Sequence, residues 1–108
     1  MSLSQPTPDL REKLYRHLTD LGACQADVEA YLTLQQGRFE QLTRRYERVE
    51  RQTDALTNPD TERGKRLLAE YERLGELHSR KENELDDLEN VVLEALREVQ
   101  TTLRHLLA

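Results

Sequence analysis

The sequence is poor in several residue types that mark particular folds. It has no tryptophan, one cysteine, three prolines and four glycines among 108 residues. So few prolines and glycines cannot supply the many turns of a β-sandwich, which favours long helices instead. The single cysteine, Cys24, cannot form a disulfide within the chain, so nothing in the sequence indicates an oxidising compartment.

Long hydrophobic runs are also missing. No apolar run approaches the roughly 20 residues that a membrane-spanning helix requires. Residues 1–8 lack the basic and apolar segments of a signal peptide. The net charge is −5, whereas nonspecific nucleic-acid binders usually carry a basic surplus. We therefore expect a cytoplasmic protein that neither inserts into a membrane nor binds nucleic acid.

The strongest turn signal is Thr57-Asn58-Pro59-Asp60, near the middle of the chain. Asn58 can cap a helix and Pro59 suits its first position, while the negative charge of Asp60 is favourable at a helix N-terminus. The signal divides the chain into two helical arms. The predicted boundaries are a disordered lead over 1–8 and one helical-hairpin domain over 9–108, with helices over about 9–57 and 60–107.

Both arms repeat apolar residues at alternating spacings of four and three. The rows of the first arm are Leu14, Leu18, Leu21, Gln25, Val28, Leu32, Gln35, Phe39, Leu42, Tyr46, Val49, Thr53 and Leu56. Those of the second are Leu67, Tyr71, Leu74, His78, Lys81, Leu85, Leu88, Val92, Ala95, Val99, Thr102 and Leu106. A period of 3.5 sustained over about six heptads is typical of coiled coils. The predicted fold is all-α, a long antiparallel two-helix coiled-coil hairpin, with a separate short first helix ending near Gly22 as the alternative.

A tight turn would pair residue i with about residue 116 − i in the opposite arm. This pairing places Leu21 opposite Ala95 and Gln35 opposite Lys81. A single polar layer such as Gln35 with Lys81 can fix the register of a coiled coil, which is the interpretation that we favour. The alternative is a small enzyme similar to helical chorismate mutases, which clamp a dicarboxylate between basic side chains. Its candidate residues are Gln35, Arg38, Arg80 and Lys81.

Other chemistry has little support in the sequence. Cys24 is flanked by Asp20 and Asp27, whose negative charges do not favour a reactive thiolate. His78 and Glu82 have the spacing of two metal ligands on one helix face, but a third ligand is missing. No phosphate-binding loop or nucleophile motif is present. The sequence therefore predicts no catalytic residue, no metal site and no cofactor.

The arms carry more apolar residues than one seam uses, mostly at the end far from the turn. The additional residues are Leu10, Ala30, Tyr31 and Leu34 in the first arm and Val91, Leu93, Leu96, Leu103 and Leu107 in the second. A helix with such a broad apolar surface must be covered by something. The cover is a second copy, which would give a homodimeric four-helix bundle, or an amphipathic helix of a partner protein, and both hold if the partner displaces the dimer.

Charge is distributed unevenly along the chain. Residues 38–51 contain five arginines and three glutamates, whereas residues 82–94 contain six acidic residues and no basic one. The acidic block could attract a basic segment of a partner, or the basic block of a second copy.

The segment Leu32-Thr33-Leu34-Gln35-Gln36-Gly37-Arg38-Phe39-Glu40-Gln41-Leu42 resembles a feature of flagellar-type export chaperones of the FlgN/FliT kind. In that family a helix carries a glycine, then a large residue and a leucine. The resemblance implies a small helical protein that keeps the C-terminal helix of an export substrate soluble and delivers it to a secretion apparatus. By position, the partner groove would comprise Leu88, Val91, Val92, Leu96, Val99, Leu103 and Leu106.

The sequence thus favours a non-catalytic protein–protein interaction module, a chaperone or adaptor that holds a partner helix in an apolar groove. A purely structural, self-associating coiled coil is the alternative, and the small helical enzyme is the third hypothesis.

Overall fold

The computed structural model describes residues 6–108, and none of these residues lies in a β-strand. The helices are α1 (Pro8–Asp54), α2 (Glu62–Asp87), a π-helical turn (Leu88–Leu93) and α3 (Glu94–Leu107). The last three follow one another without a break. The fold is therefore all-α, a helical hairpin as predicted. Residues 1–5 of the predicted lead lie outside the described residues.

Helix α1 begins at a threonine cap. The Thr7 Oγ1 atom accepts a hydrogen bond from the Leu10 amide at 3.3 Å, and Pro8 occupies the first helical position, where its missing N–H costs nothing. Pro8 therefore belongs to the helix rather than to the lead. Helix α1 then continues without interruption through Gly22 and Gly37, so the alternative of a separate short first helix is wrong.

The turn is longer than the sequence predicts. The Asn58 side chain accepts a hydrogen bond from the Asp60 amide at 3.0 Å, which is the local turn that asparagine commonly makes. Thr61 is the N-cap instead, because its Oγ1 accepts a hydrogen bond from the Gly64 amide at 3.0 Å. Helix α2 consequently begins at Glu62 rather than at residue 60, and α1 ends at Asp54 rather than at residue 57.

Gly64 is buried beneath this turn, and no larger residue fits there. A Cβ atom at Gly64 would lie 2.8 Å from the carbonyl oxygen of Pro59 and 2.9 Å from that of Asn58. Both neighbours are backbone atoms, so they cannot move aside as a flexible side chain would. The glycine therefore allows the first turn of α2 to pack closely against the chain that leads into it.

We expect Gly64→Ala to lower the free energy of unfolding by about 1–3 kcal/mol, because overpacking outweighs the gain in helix propensity. Gly37→Ala is the control, since nothing outside its own helix backbone lies within 4 Å of a Cβ there. It should raise stability by about 1 kcal/mol. Urea denaturation followed by circular dichroism measures both. Equal stability gains in the two variants would contradict the close approach at Gly64.

The described residues group into two compact units. The turn unit comprises residues 33–86 and the terminal unit comprises residues 6–32 together with 87–108. In the turn unit, Val49 and Leu74 are buried. The rings of Tyr46 and Tyr71 stack at a centroid distance of 5.2 Å, and those of Phe39 and His78 lie 4.7 Å apart. Each of these ring pairs is within one residue of the predicted pairing of the arms.

The terminal unit brings the start of the chain beside its end. The Arg11 guanidinium and the Tyr15 hydroxyl both donate hydrogen bonds to the carbonyl oxygen of Leu107. Gln100 is 4% exposed, and its amide donates to Gln25 Oε1 at 2.6 Å. The Gln100 amide also donates to the carbonyl oxygen of Leu96 at 3.1 Å, and the Gln25 amide donates to the Glu29 carboxylate at 2.7 Å. These contacts confirm that the chain doubles back, and they pair the buried amide of Gln100 inside the seam.

The predicted apolar rows are confirmed along the whole first arm, whose members are all buried or half-buried. In the second arm they are confirmed only as far as Leu88. Beyond that residue the predicted row is wrong, because Val92, Ala95, Val99, Thr102 and Leu106 are exposed. The inward residues are instead Leu93, Leu96, Gln100, Leu103 and Leu107, each one position later.

The π-helical turn over Leu88–Leu93 explains this shift. A π turn accommodates one residue more than an α turn. Inserting one residue rotates every following side chain by about 100° around the helix axis. Leu93 therefore takes the inward position that Val92 would hold in an unbroken α-helix. Ala95, the predicted partner of Leu21, is turned outward, so that predicted pair does not form in the seam.

Candidate functional site

Lys81 is half-buried and forms an ion pair with a residue of its own helix. Its Nζ atom lies 3.0 Å from the Glu84 carboxylate, and 43% of its side chain is exposed. Gln35, its predicted partner, is also half-buried. The positive charge of Lys81 is thus neutralised at the surface by Glu84, an arrangement that surface i,i+3 pairs commonly adopt.

His78 is a packed ring. Its Nε2 atom lies 3.0 Å from the hydroxyl of Thr43, and its ring packs against Phe39 and Tyr46. The predicted neighbour Glu82 lies 4.0 Å from Nδ1. Within residues 6–108, no three histidine, cysteine or acidic side chains are grouped so that they could hold a metal ion.

Tyr71 provides a neutral hydrogen-bond donor between the two arms of the turn unit. Its hydroxyl donates to the Glu50 carboxylate at 3.2 Å. Side-chain hydrogen bonding with Tyr46, then burial and the negative charge of Glu50, raise the pKa of Tyr71 above its ordinary value. A phenol is already protonated at neutral pH at its ordinary pKa of about 10, and the raised pKa keeps Tyr71 a hydrogen-bond donor to Glu50 at alkaline pH as well.

The structure divides the seven residues of the predicted groove into two sets. Leu88, Leu96 and Leu103 are half-buried on the inward side. The exposed set is Val91, Val92, Val99 and Leu106, with exposed fractions of 60%, 40%, 48% and 47%. The predicted groove is therefore not one surface, and only its exposed set is available to a partner.

Three of the exposed residues form a regular row. Val92, Val99 and Leu106 each stand one position before an inward residue, and we call such positions the leading shoulder of a helix. In the turn unit, Arg45 and Glu70 occupy leading-shoulder positions and form an ion pair at 2.7 Å. The leading shoulders of two antiparallel helices therefore face the same side of the pair.

Because leading shoulders face the same side, the neighbours of Val92, Val99 and Leu106 in the terminal unit are the leading-shoulder residues of α1. The leading shoulder of α1 there consists of Leu10, His17, Cys24 and Tyr31, all exposed. On the opposite side of the unit, Glu29 and Arg97 each follow an inward residue and lie 3.7 Å apart. Because Glu29 and Arg97 meet on that side, the leading shoulders of α1 and α3 lie together on the other side of the terminal unit.

The apolar members of these two rows are Leu10, Cys24, Tyr31, Val92, Val99 and Leu106, and we call them the terminal apolar face; His17 lies in the same row between Leu10 and Cys24. Leu10 is 47% exposed and Tyr31 is 56% exposed. The leading shoulders of the turn unit carry charged residues, including Arg45 and Glu70, so they do not form such a face. Isolated exposed apolar residues are ordinary, whereas several exposed apolar residues on one side of a unit are typical of interaction sites. The excess of apolar residues in the sequence indicates Leu10 and Tyr31, but the π turn decides which row of α3 lies beside them.

The terminal unit also carries most of the net charge. Its residues include nine acidic and five basic side chains, a net charge of −4, whereas the turn unit has twelve acidic and eleven basic side chains. Arg16 and Arg97 lie within 4 Å of glutamates of the same unit, and Arg11 binds the Leu107 carbonyl. The terminal apolar face consequently lies in a negative electrostatic environment.

No protein-family model, curated protein or solved structure matches this chain. The resemblance to flagellar-type export chaperones therefore stays a prediction based on the 32–42 pattern. Among residues 6–108, no helix is both long enough and apolar enough to cross a membrane.

Proposed function

We propose that this protein is a non-catalytic interaction module that binds an amphipathic helix of a partner protein on its terminal apolar face. The observation that carries the proposal is the second apolar row of α3. Val92, Val99 and Leu106 repeat every seven residues, with Ala95 and Thr102 between them, and all five are exposed. This is the spacing with which one helix packs along another.

The finer proposal is a cytoplasmic chaperone or adaptor that keeps a partner's helix soluble. It is supported by the resemblance of the 32–42 segment to flagellar-type export chaperones and by the location of the face. The face is not needed to close the seam, because Leu93, Leu96, Leu103 and Leu107 already fill it. Binding a helix there would leave the buried contacts of the terminal unit unchanged.

A second candidate is a structural protein that associates with itself. The same row of α3 could pack against the equivalent row of another copy, since heptad spacing serves homodimers as well as heterodimers. Under this alternative the terminal apolar face is the interface of a helical bundle and has no other partner.

Val99→Asp tests the proposal, and Leu68→Asp is the matched control because Leu68 is a 40% exposed leucine in the turn unit. The probe is a synthetic amphipathic helix with leucine in its apolar row and glutamine elsewhere. We expect Val99→Asp to weaken binding about tenfold or more, as for a central interface residue. Leu68→Asp should leave the affinity unchanged. Fluorescence anisotropy measures both.

Equal binding by the two variants would contradict the proposal. Sedimentation velocity distinguishes helix binding from the second candidate, self-association. A wild-type dimer that Val99→Asp dissociates, together with no binding of the helix peptide, would establish self-association instead.

A further inference from the structure

We infer that the helix recognised by the terminal apolar face carries basic residues along the edges of its apolar row. The inference rests on the proposed helix-binding function and specifies its partner by charge. It depends on which residues border the face on each side, and on what a second copy would bring to the same place.

Acidic side chains border the face on both edges. On α1, Asp20 and Asp27 lie four residues before Cys24 and Tyr31, so they occupy the outer edge beside them. On α3, Glu98 lies between Ala95 and Thr102 on the outer edge of the second row. All three carboxylates are exposed, and none forms an ion pair with another residue in the range 6–108.

The acids stand at the same height along the unit. A Cβ atom at Gly22 would lie 3.6 Å from the Gln100 side chain, so Asp20 and Asp27 on α1 are level with the part of α3 that holds Glu98. The other titratable groups on these edges, Lys13 and His105, lie nearer the chain ends. The centre of the face is therefore an apolar strip between negative edges.

This charge pattern distinguishes a basic helix from a second copy. A symmetric dimer buries the same patch on both copies. Pairing two copies through this face would place Asp20, Asp27 and Glu98 near the same three carboxylates of the other copy, and like charges across an interface are unfavourable. A helix with lysine or arginine on both edges would instead place opposite charges beside each carboxylate.

The test compares three peptides of about 21 residues with the same leucine row and with lysine, glutamine or glutamate at the edges. Binding to the full chain is measured by fluorescence anisotropy. At low salt, we expect the affinity of the lysine peptide to be at least about tenfold higher than that of the glutamine peptide. The glutamate peptide should bind most weakly. The difference in affinity between the lysine and glutamine peptides should decrease when the salt concentration is raised from about 50 mM to about 500 mM.

A triple variant, Asp20→Asn with Asp27→Asn and Glu98→Gln, should lose the preference for lysine and keep its affinity for the glutamine peptide. Circular dichroism verifies that it remains helical. Equal binding of the lysine and glutamine peptides to the wild type would overturn the inference and leave helix binding intact. If none of the peptides binds the wild type, the proposed function itself fails, and the inference fails with it.

Discussion

Leu74→Ala is expected to lower the free energy of unfolding by about 3 kcal/mol, within the 2–5 kcal/mol that buried leucines commonly contribute. Leu74 is 1% exposed, the most deeply buried large side chain of the turn unit. It follows Tyr71 by one helical turn and precedes His78 by one, so truncation would leave a cavity beside the stacked rings. Urea denaturation followed by helical circular dichroism gives the change.

Leu68→Ala removes the same atoms from a side chain that is 40% exposed in the same helix. We expect its effect to stay within about 0.5 kcal/mol, as for most surface substitutions. Similar losses in the two variants would show that Leu74 does not lie in a packed seam.

Deletion of Asn90 is expected to leave stability unchanged or to raise it. Asn90 is an exposed residue of the π turn. Removing one residue there would let α2 continue into α3 with regular α-helical hydrogen bonds, and it would keep Leu93 and Leu96 on the inward side. A one-residue deletion within a long helix is ordinarily disruptive, so tolerance at this position is a specific expectation. Thermal unfolding measures it.

Deletion of Ala69, an exposed residue within the α-helical part of the same arm, is the matched control. It would rotate the following residues by about 100°. Glu72 and Gly75 would then take the inward positions of Tyr71 and Leu74. We expect a loss of more than about 3 kcal/mol, since the buried leucine and the ring stack are both lost. If deletion of Asn90 were as harmful as deletion of Ala69, the π turn would not act as a one-residue insertion.

Local signals in the sequence determined much of this architecture. Every member of the predicted heptad rows of the first arm, from Leu14 to Leu56, is buried or half-buried, because side-chain direction in a regular helix follows from spacing alone. The turn near Pro59 was equally local. The helix ends were harder, since Asn58 and Thr61 are both good caps. The sequence does not show that the Asn58 side chain accepts a hydrogen bond within the turn, whereas the Thr61 side chain caps helix α2.

The candidate site could be predicted only in part. An excess of apolar residues at the far end of the second arm is visible in the sequence. The acidic block over residues 82–94 is visible too, but the carboxylates that border the terminal apolar face, Asp20, Asp27 and Glu98, lie outside it. The sequence placed Leu88, Leu96 and Leu103 in the same groove as Val91, Val92, Val99 and Leu106. The structure separates them, because the π turn over Leu88–Leu93 interrupts the helical phase on which the predicted groove depends.

What the sequence by itself determined is the class of fold, the place where the chain reverses and the phase of α1. What only the tertiary structure decided is which side of α3 faces α1. Two apolar rows overlap there with the same spacing, one starting at Val92 and the other at Leu93. The spacing of residues does not determine which row faces inward, whereas packing against α1 does. The row from Leu93 supplies leucines where the other supplies valine, alanine and threonine, and Gln100 in that row meets Gln25. Burying the larger side chains removes more apolar surface from water, so the π turn forms and the smaller row is left exposed.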